Sequence, residues 1–255
     1  NPKTDRTDWC GTTAGCGWTF TGTEEGNWIP SKKYKQNSGV WEETTDAALA
    51  CPNKESSIDS TKTYTGACLN FLLMSRIDLL RWAMTGGRPN VCIDGEYTST
   101  DCDTSIQAAA STTGYITIHT ANDDKVKVPV SRIQEALIPE FSSAAVRPRF
   151  GLLFYSDSIK SQKVYVGDYP EGNNADATLP YTHFTRYLNA RSSSGGTGTA
   201  AGLWEAYDYF KQSDDHNFTN DFDMAGNSTK YRDPLYVCDY AKDNCGLVPC
   251  AKNFV

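Results

Sequence analysis

Residues 193–210 have the sequence SSGGTGTAAGLWEAYDYF, in which a small, polar, glycine-rich loop leads directly into an amphipathic helix. The loop places two hydroxyl groups, those of Thr197 and Thr199, at the expected start of that helix. A threonine at a helix start can cap the helix, or its oxygen can be a ligand for a hard divalent cation. The local sequence alone favours the helix-capping role over the metal-ligand role. The stretch lacks the lysine of a P-loop and the glycine spacing of a dinucleotide-binding loop.

The segments around this stretch alternate between apolar strands and amphipathic helices. Residues 149–156 (RFGLLFYS) form a nearly continuous apolar run, which is typical of a strand buried on both faces of a sheet. Residues 69–85 and 181–190 have helical periodicity, and residues 114–130 alternate as a β-hairpin that turns at 122–124. This order predicts an α/β fold with a mainly parallel sheet. Further elements are predicted as follows: a helix from residue 131, a helix at 199–211, and strands at 163–166, 235–238 and 251–255.

The charge balance excludes two classes of partner. The chain has 24 basic and 31 acidic side chains, hence a formal net charge of −7, and no run rich in lysine and arginine. A nucleic-acid surface and an anionic membrane surface are therefore not expected. The sequence contains no stretch of about 18 consecutive apolar residues, so no membrane span is predicted either.

The cysteine content indicates an oxidising compartment. The chain has nine cysteines but only three histidines, which stand far apart, and no paired C-x-x-C zinc pattern. Disulfide bonds are therefore the favoured state of these cysteines, although their sequence positions leave the pairing open. Residues 1–67 have little periodicity and are predicted to be a loop-and-strand section held together by cysteines.

Four tryptophans in that section (Trp9, Trp18, Trp28 and Trp41) allow two interpretations. They pack against a small core, which is the favoured interpretation, or they bind glycans at the surface. The second interpretation gives an alternative function, that of a secreted carbohydrate-binding or carbohydrate-acting protein. Motifs of nucleophilic or metal-dependent hydrolysis such as G-x-S-x-G and H-E-x-x-H are absent from the sequence, so we expect that the protein is not an enzyme.

The acidic stretch at 214–233 is a second candidate for cation binding. Asp221, Asp223 and Gly226 fit three positions of an EF-hand loop. However, Ala225 and Arg232 stand where oxygen ligands are needed, so the EF-hand interpretation fails. Two interpretations of this stretch remain, an irregular calcium site and a solvated acidic loop, and the solvated loop is favoured.

Five segments, in a fixed order, resemble the N-terminal region of the PilC/PilY-type type IV pilus tip adhesins. They are CLNFLLMSRIDLLRWAMTGGR (68–88), RPRFGLLFYS (147–156), GGTGTAAGLWEAYDYF (195–210), DPLYV (233–237) and VPCAKNFV (248–255). The resemblance implies a von Willebrand A-like, doubly wound, mainly parallel sheet over residues 68–255, following the cysteine-stapled section 1–67. In this family a metal-ion-dependent adhesion site lies at the carboxyl ends of the strands.

The family pattern for this site needs three loops, and Thr197 matches the second. The first loop, D-x-S-x-S, is matched only weakly, by residues 59–63 (DSTKT). We reject this match because no apolar strand precedes it. The third, an acidic loop, would follow the strand that begins at 252–255. The resemblance therefore implies a fold and a site that are incomplete at both ends, with Mg or Ca bound in the intact protein rather than in this piece.

The function that the resemblance implies is adhesion and pilus assembly, without catalysis, at the tip of a bacterial type IV pilus. Its implied partners are pilus subunits or minor pilins, a surface or host ligand, and the remainder of its own parent chain. The implied location is extracellular, at the cell surface or pilus tip. Because the sheet would lack a central strand, the isolated chain is predicted to be only marginally stable.

Overall fold

The computed structural model describes residues 20–53, 55–89, 113–145, 147–155, 160–167, 180–190, 199–211, 236–239 and 244–247. The chain divides into two compact units, of which the first reaches Glu140 and the second continues from Phe141.

Among the described residues, the first unit has a sheet of six strands and four short helices, the last of which crosses the division. The strands are β1 (Lys33–Asn37), β2 (Val40–Glu43), β3 (Thr63–Thr65), β4 (Arg88–Pro89), β5 (Tyr115–His119) and β6 (Lys125–Pro129). The helices are α1 (Gly66–Leu73), α2 (Arg76–Thr85), α3 (Val130–Gln134) and α4 (Leu137–Ser142).

The sheet is mixed, with the strand order β3-β1-β2-β6-β5-β4. Strands β2 and β6 are parallel, and every other pair in this sheet is antiparallel. The α/β class is thus confirmed, but the mainly parallel sheet is not found here, and a von Willebrand A-like doubly wound fold is not confirmed. One of the antiparallel pairs has a local cause: β1 and β2 are joined by Ser38 and Gly39, both at positive φ (50° and 84°). Such a two-residue turn forces an antiparallel hairpin.

The predicted division between residues 67 and 68 differs from the division into compact units. β2, from the first section, pairs with β6, which lies far beyond residue 68. The hairpin predicted at 114–130 is confirmed as β5 and β6.

Aromatic side chains form much of the core of this unit. Trp28, Tyr34, Trp41 and Tyr64 are all at most 3% exposed, and the rings of Trp41 and Tyr64 meet edge-on at 6.3 Å. Burying such a side chain contributes roughly 1.5–3 kcal/mol or more. Burial also raises the pKa of Tyr34 to about 12, although its hydroxyl accepts a hydrogen bond from the Ile29 amide at 3.0 Å.

The single helix predicted at 69–85 is two helices, because the helical conformation is interrupted at Met74 and Ser75. Met74 has an extended backbone (φ −85°, ψ 133°), and Ser75 is the N-cap of α2. Both the amide and the hydroxyl of Ser75 donate to Asp78 Oδ2, at 2.8 and 2.6 Å. Ser-x-x-Asp is an N-terminal capping signal that the apolar periodicity concealed. The predicted stop is confirmed at Gly86, which is left-handed (φ 82°).

The helix predicted from residue 131 is also divided. α3 ends at Gln134, and α4 begins only at Leu137.

A disulfide bond joins Cys51 to Cys68 and thereby fixes the loop before β3 to the buried helix α1. The prediction of disulfide bonding is therefore confirmed for this pair.

In the second unit, β7 (Phe150–Tyr155) pairs antiparallel with β8 (Lys160–Gly167), and β9 (Tyr236–Asp239) pairs antiparallel with β10 (Asn244–Leu247). Two helices lie in the described part of this unit, α5 (Thr182–Ala190) and α6 (Thr199–Lys211), both as predicted. The prediction that the 149–156 strand is buried on both faces is wrong: Gly151 is exposed and Leu152 is only half-buried. β10 forms where a polar loop was predicted. The strand predicted at 251–255 lies outside the described residues.

Candidate functional site

Thr197, the predicted metal ligand, lies outside the described residues, as does the acidic stretch at 214–233. Helix α6 begins at Thr199, two residues after Thr197 in the sequence. Within the described ranges, no three His, Cys, Asp or Glu side chains come together in a way that suits a metal ion.

Residues 59–63, which resemble the D-x-S-x-S metal loop only loosely and were rejected as such a loop, form an ordinary turn. Asp59 Oδ1 accepts hydrogen bonds from the amide and the hydroxyl of Thr61, at 2.9 and 2.7 Å. These bonds hold the pKa of the exposed Asp59 carboxyl below its ordinary value. The segment follows a single 3-10 turn (Glu55–Ser57) rather than an apolar strand, and the Thr61 hydroxyl is bonded within the turn itself.

The tryptophans that suggested glycan binding are buried where they are described. Trp28 is 0% and Trp41 is 1% exposed. A glycan platform needs an accessible ring face, so these two side chains do not support the carbohydrate interpretation. Trp9 and Trp18 are not among the described residues.

The most distinctive accessible surface is one face of the six-stranded sheet, where lysines alternate with core residues. In β1, Lys33 and Lys35 are exposed on either side of the buried Tyr34. In β6, Lys127 is exposed and Lys125 half-buried, while Val126 between them is buried. Because alternate side chains of a strand point to opposite faces, both lysine pairs lie on the face away from the aromatic core. We define the lysine face by six residues: Lys33, Lys35, Glu42, Tyr115, Lys125 and Lys127.

The register of the strands brings these two pairs of lysines onto one surface. Lys35 is opposite Glu42 on β2, and Val40 on β2 is opposite Lys125 on β6. Glu42 therefore lies between the pairs, and its Oε1 is 3.4 Å from Lys127 Nζ. Lys35 Nζ is 3.3 Å from Asp46. Both ion pairs are exposed, so each contributes at most about 1 kcal/mol.

An aromatic ring adjoins the basic groups of this face. Tyr115 on β5 is 62% exposed, and Lys127 Nζ lies 5.7 Å from its ring centroid. Such a contact over an exposed ring contributes roughly 0.5–1 kcal/mol and fixes the lysine over the ring.

At the far edge of the same face, His119 on β5 is opposite Arg88 on β4, and both are 4% exposed. Burial, together with the positive charge of Arg88, lowers the pKa of His119, although its Nδ1 lies 3.3 Å from the exposed Asp123 carboxylate. His119 is therefore neutral at pH 7. A buried neutral imidazole beside an arginine makes this edge sensitive to acid.

The lysine face was not predicted as a site. Its signal is visible in the sequence, since Lys33 and Lys35 repeat the alternation of Lys125 and Lys127. What the sequence could not supply is the pairing of β2 with β6, which joins the two pairs into one surface.

The second unit also presents an exposed apolar surface. Leu203, Trp204 and Tyr207 on α6 are each more than half exposed, and the rings of Trp204 and Tyr207 lie 5.7 Å apart. None of the helices within the described ranges has the length and apolar character needed to cross a bilayer.

Comparison with known protein families gives a match within the first part of the chain. Residues 26–142 match the model of a family described as PilY1 homolog, small alpha/beta domain. This range is just under half of the chain and contains the whole six-stranded sheet. It also includes residues 26–67, for which no resemblance was found in the sequence. No curated protein and no solved structure matches the chain. Residues 26–142 are thus similar to the small α/β domain of PilY1 homologs, which supports a type IV pilus context for this chain.

Proposed function

We propose that this chain belongs to a bacterial pilus-tip protein that promotes adhesion and pilus assembly by binding rather than by catalysis. The observation that carries the proposal is the match of residues 26–142 to the small domain of PilY1 homologs. The ordered segments between 147 and 255 that resemble the same adhesins support it independently, because they lie outside the matched range. On this proposal the protein is extracellular and its partners are pilus subunits or minor pilins and a surface or host ligand.

We further propose that adhesion depends on a divalent cation, Mg or Ca, with the Thr197 hydroxyl as one ligand. The sequence position of Thr197 supports this role, because it stands two residues before the start of α6, where the adhesins that this chain resembles carry the threonine of their second metal loop. A threonine hydroxyl there suits a hard cation, which prefers oxygen ligands. The other ligands would come from segments of the parent protein beyond this chain.

Calorimetric titration of the intact parent protein with Mg and with Ca tests this role. Replacing Thr197 with alanine removes one ligand, so we expect the affinity to fall by about tenfold, a change of roughly 1.4 kcal/mol. Thr199→Ala is the matched control, since it removes a hydroxyl from the same loop at the first residue of the helix. Equal affinities for the wild type and the Thr197→Ala variant would remove Thr197 from the site.

A further inference from the structure

We propose that the lysine face binds an acidic segment of another polypeptide in an extended conformation. The proposal rests on the geometry and charge of the first unit alone, and it does not depend on the pilus function or on Thr197.

The spacing of the lysines matches that of alternate side chains in an extended peptide. Lys33 and Lys35 are two residues apart on one strand, as are Lys125 and Lys127 on another. Side chains on the same face of a strand repeat about every 6.6–6.8 Å. An extended chain that carries Asp or Glu at every second position has the same repeat, so consecutive carboxylates can each meet one ammonium group.

The charge of this surface is opposite to that of the chain as a whole. The chain carries a net charge of −7, whereas the lysine face has four lysines against Glu42, with Asp46 beside it. Two of the lysines, Lys35 and Lys127, already have carboxylate partners. Lys33 on β1 and Lys125 on β6 have none within the part of the chain that the structure describes, so each of these two strands keeps one cation for a separate acidic side chain of the peptide.

The face also offers a small apolar contact beside the charges. The Tyr115 ring is exposed next to Lys127, and the half-buried Val40 lies opposite Lys125. These groups suit the apolar side chains between the acidic residues of a peptide. They form too small an apolar area for insertion into a lipid surface, which needs a larger hydrophobic face. The chemistry therefore favours a polypeptide partner over a membrane.

Fluorescence polarisation with the 255-residue chain and a labelled peptide, Ser-Asp-Val-Asp-Val-Asp-Ser, tests the proposal. We expect binding that weakens steeply with salt, because the screening length falls from about 30 Å at 0.01 M to about 10 Å at 0.1 M. The double variant Lys33→Gln/Lys125→Gln should weaken binding by about three- to tenfold, as expected for two exposed charge pairs. Circular dichroism should show an unchanged fold, since neither side chain is in the core.

Two matched controls isolate the effect. Lys62→Gln removes the same charge from an exposed turn before β3 and should leave the affinity unchanged. The peptide with Asn in place of each Asp should not bind. Equal affinities for wild type and double variant, an equal loss in the Lys62→Gln variant, or equal binding of the Asn peptide would overturn the proposal. Binding to heparin or to vesicles that contain phosphatidylserine, without binding to the peptide, would overturn it too.

Discussion

At the scale of single residues, Asn70 fixes the loop before β1 to α1. Its Nδ2 donates to the carbonyl oxygens of Glu24 and Trp28, both at 2.7 Å, and its Oδ1 accepts from the Trp28 amide at 3.0 Å. These bonds satisfy backbone groups of a loop that has no strand partner. A buried Asn at this position therefore determines where Trp28 enters the core.

We expect Asn70→Ala to lower the free energy of unfolding by about 2–4 kcal/mol, because buried backbone groups of Trp28 lose their partners. Urea denaturation measures the change. Asn53→Ala is the control, since Asn53 is exposed, and a surface change of this kind usually alters stability by less than about 0.5 kcal/mol. A loss no larger than that of the control would mean that Asn70 does not hold the loop.

The lowered pKa of His119 leads us to expect that the free energy of unfolding depends on pH. Its pKa in the folded protein is below the ordinary value of 6.5 because of burial and Arg88, so the unfolded chain binds the proton more readily. Its contribution to stability is complete above pH 6.5 and is lost as the pH falls from there through the lowered pKa. We expect the free energy of unfolding to decrease as the pH falls below about 6.5, before the pH reaches the range where most carboxylates titrate.

The His119→Gln variant should show a flatter pH profile over the same interval, because glutamine does not titrate. Chemical denaturation at a series of pH values gives both curves. Parallel curves for the two proteins would assign the pH dependence to other groups, and a wild type that gains stability on acidification would reverse the direction inferred for this pKa.

At the scale of elements, Asp78 connects α2 to the hairpin of β5 and β6. Its carboxylate accepts hydrogen bonds from the amide and the hydroxyl of Ser75 at the start of α2. Its Oδ1 also accepts a hydrogen bond from the Ala121 amide at 2.8 Å. The same oxygen is 3.6 Å from Arg81 Nη1, and both side chains are 1% exposed. One buried carboxylate thus begins a helix, balances a buried cation and positions a turn.

We expect Asp78→Ala to destabilise the protein by about 3–5 kcal/mol, because it leaves Arg81 with one fewer buried counter-charge. Asp46→Ala, which breaks the exposed pair with Lys35, should cost no more than about 1 kcal/mol. Hydrogen exchange adds an element-specific measurement: the Ala121 amide should lose protection in the Asp78→Ala variant. Unchanged protection of that amide would show that Asp78 does not hold the hairpin.

The sequence predicts elements better than it predicts their pairing. The alternation at 115–119 and 125–129 and the left-handed Gly86 are local signals, and both gave correct elements. The parallel pairing of β2 with β6 and the two-residue strand β4 are set by tertiary packing, which a local pattern does not encode. The break at Ser75 is an intermediate case: the capping signal is local, but the apolar periodicity runs across it.

At the scale of the whole molecule, the C-terminal limits of the matched range and of the first unit agree closely. The match ends at residue 142, and the first compact unit ends at Glu140. The sheet, the Cys51–Cys68 disulfide and the lysine face all lie within this range. The candidate metal ligand Thr197 lies in the second unit. We infer that the two proposed binding functions, one for an acidic polypeptide and one for a cation, belong to different units and can be lost separately.

The most direct test of the pilus assignment is to delete residues 26–142 from the parent protein in a piliated strain that carries its gene. Surface pili would be counted by electron microscopy and attachment measured on the same cells, with immunoblots to show that the truncated protein is produced at the normal level. We expect piliation or attachment to fall to the level of cells that lack the parent protein. Normal piliation together with normal attachment, at normal protein levels, would contradict the account.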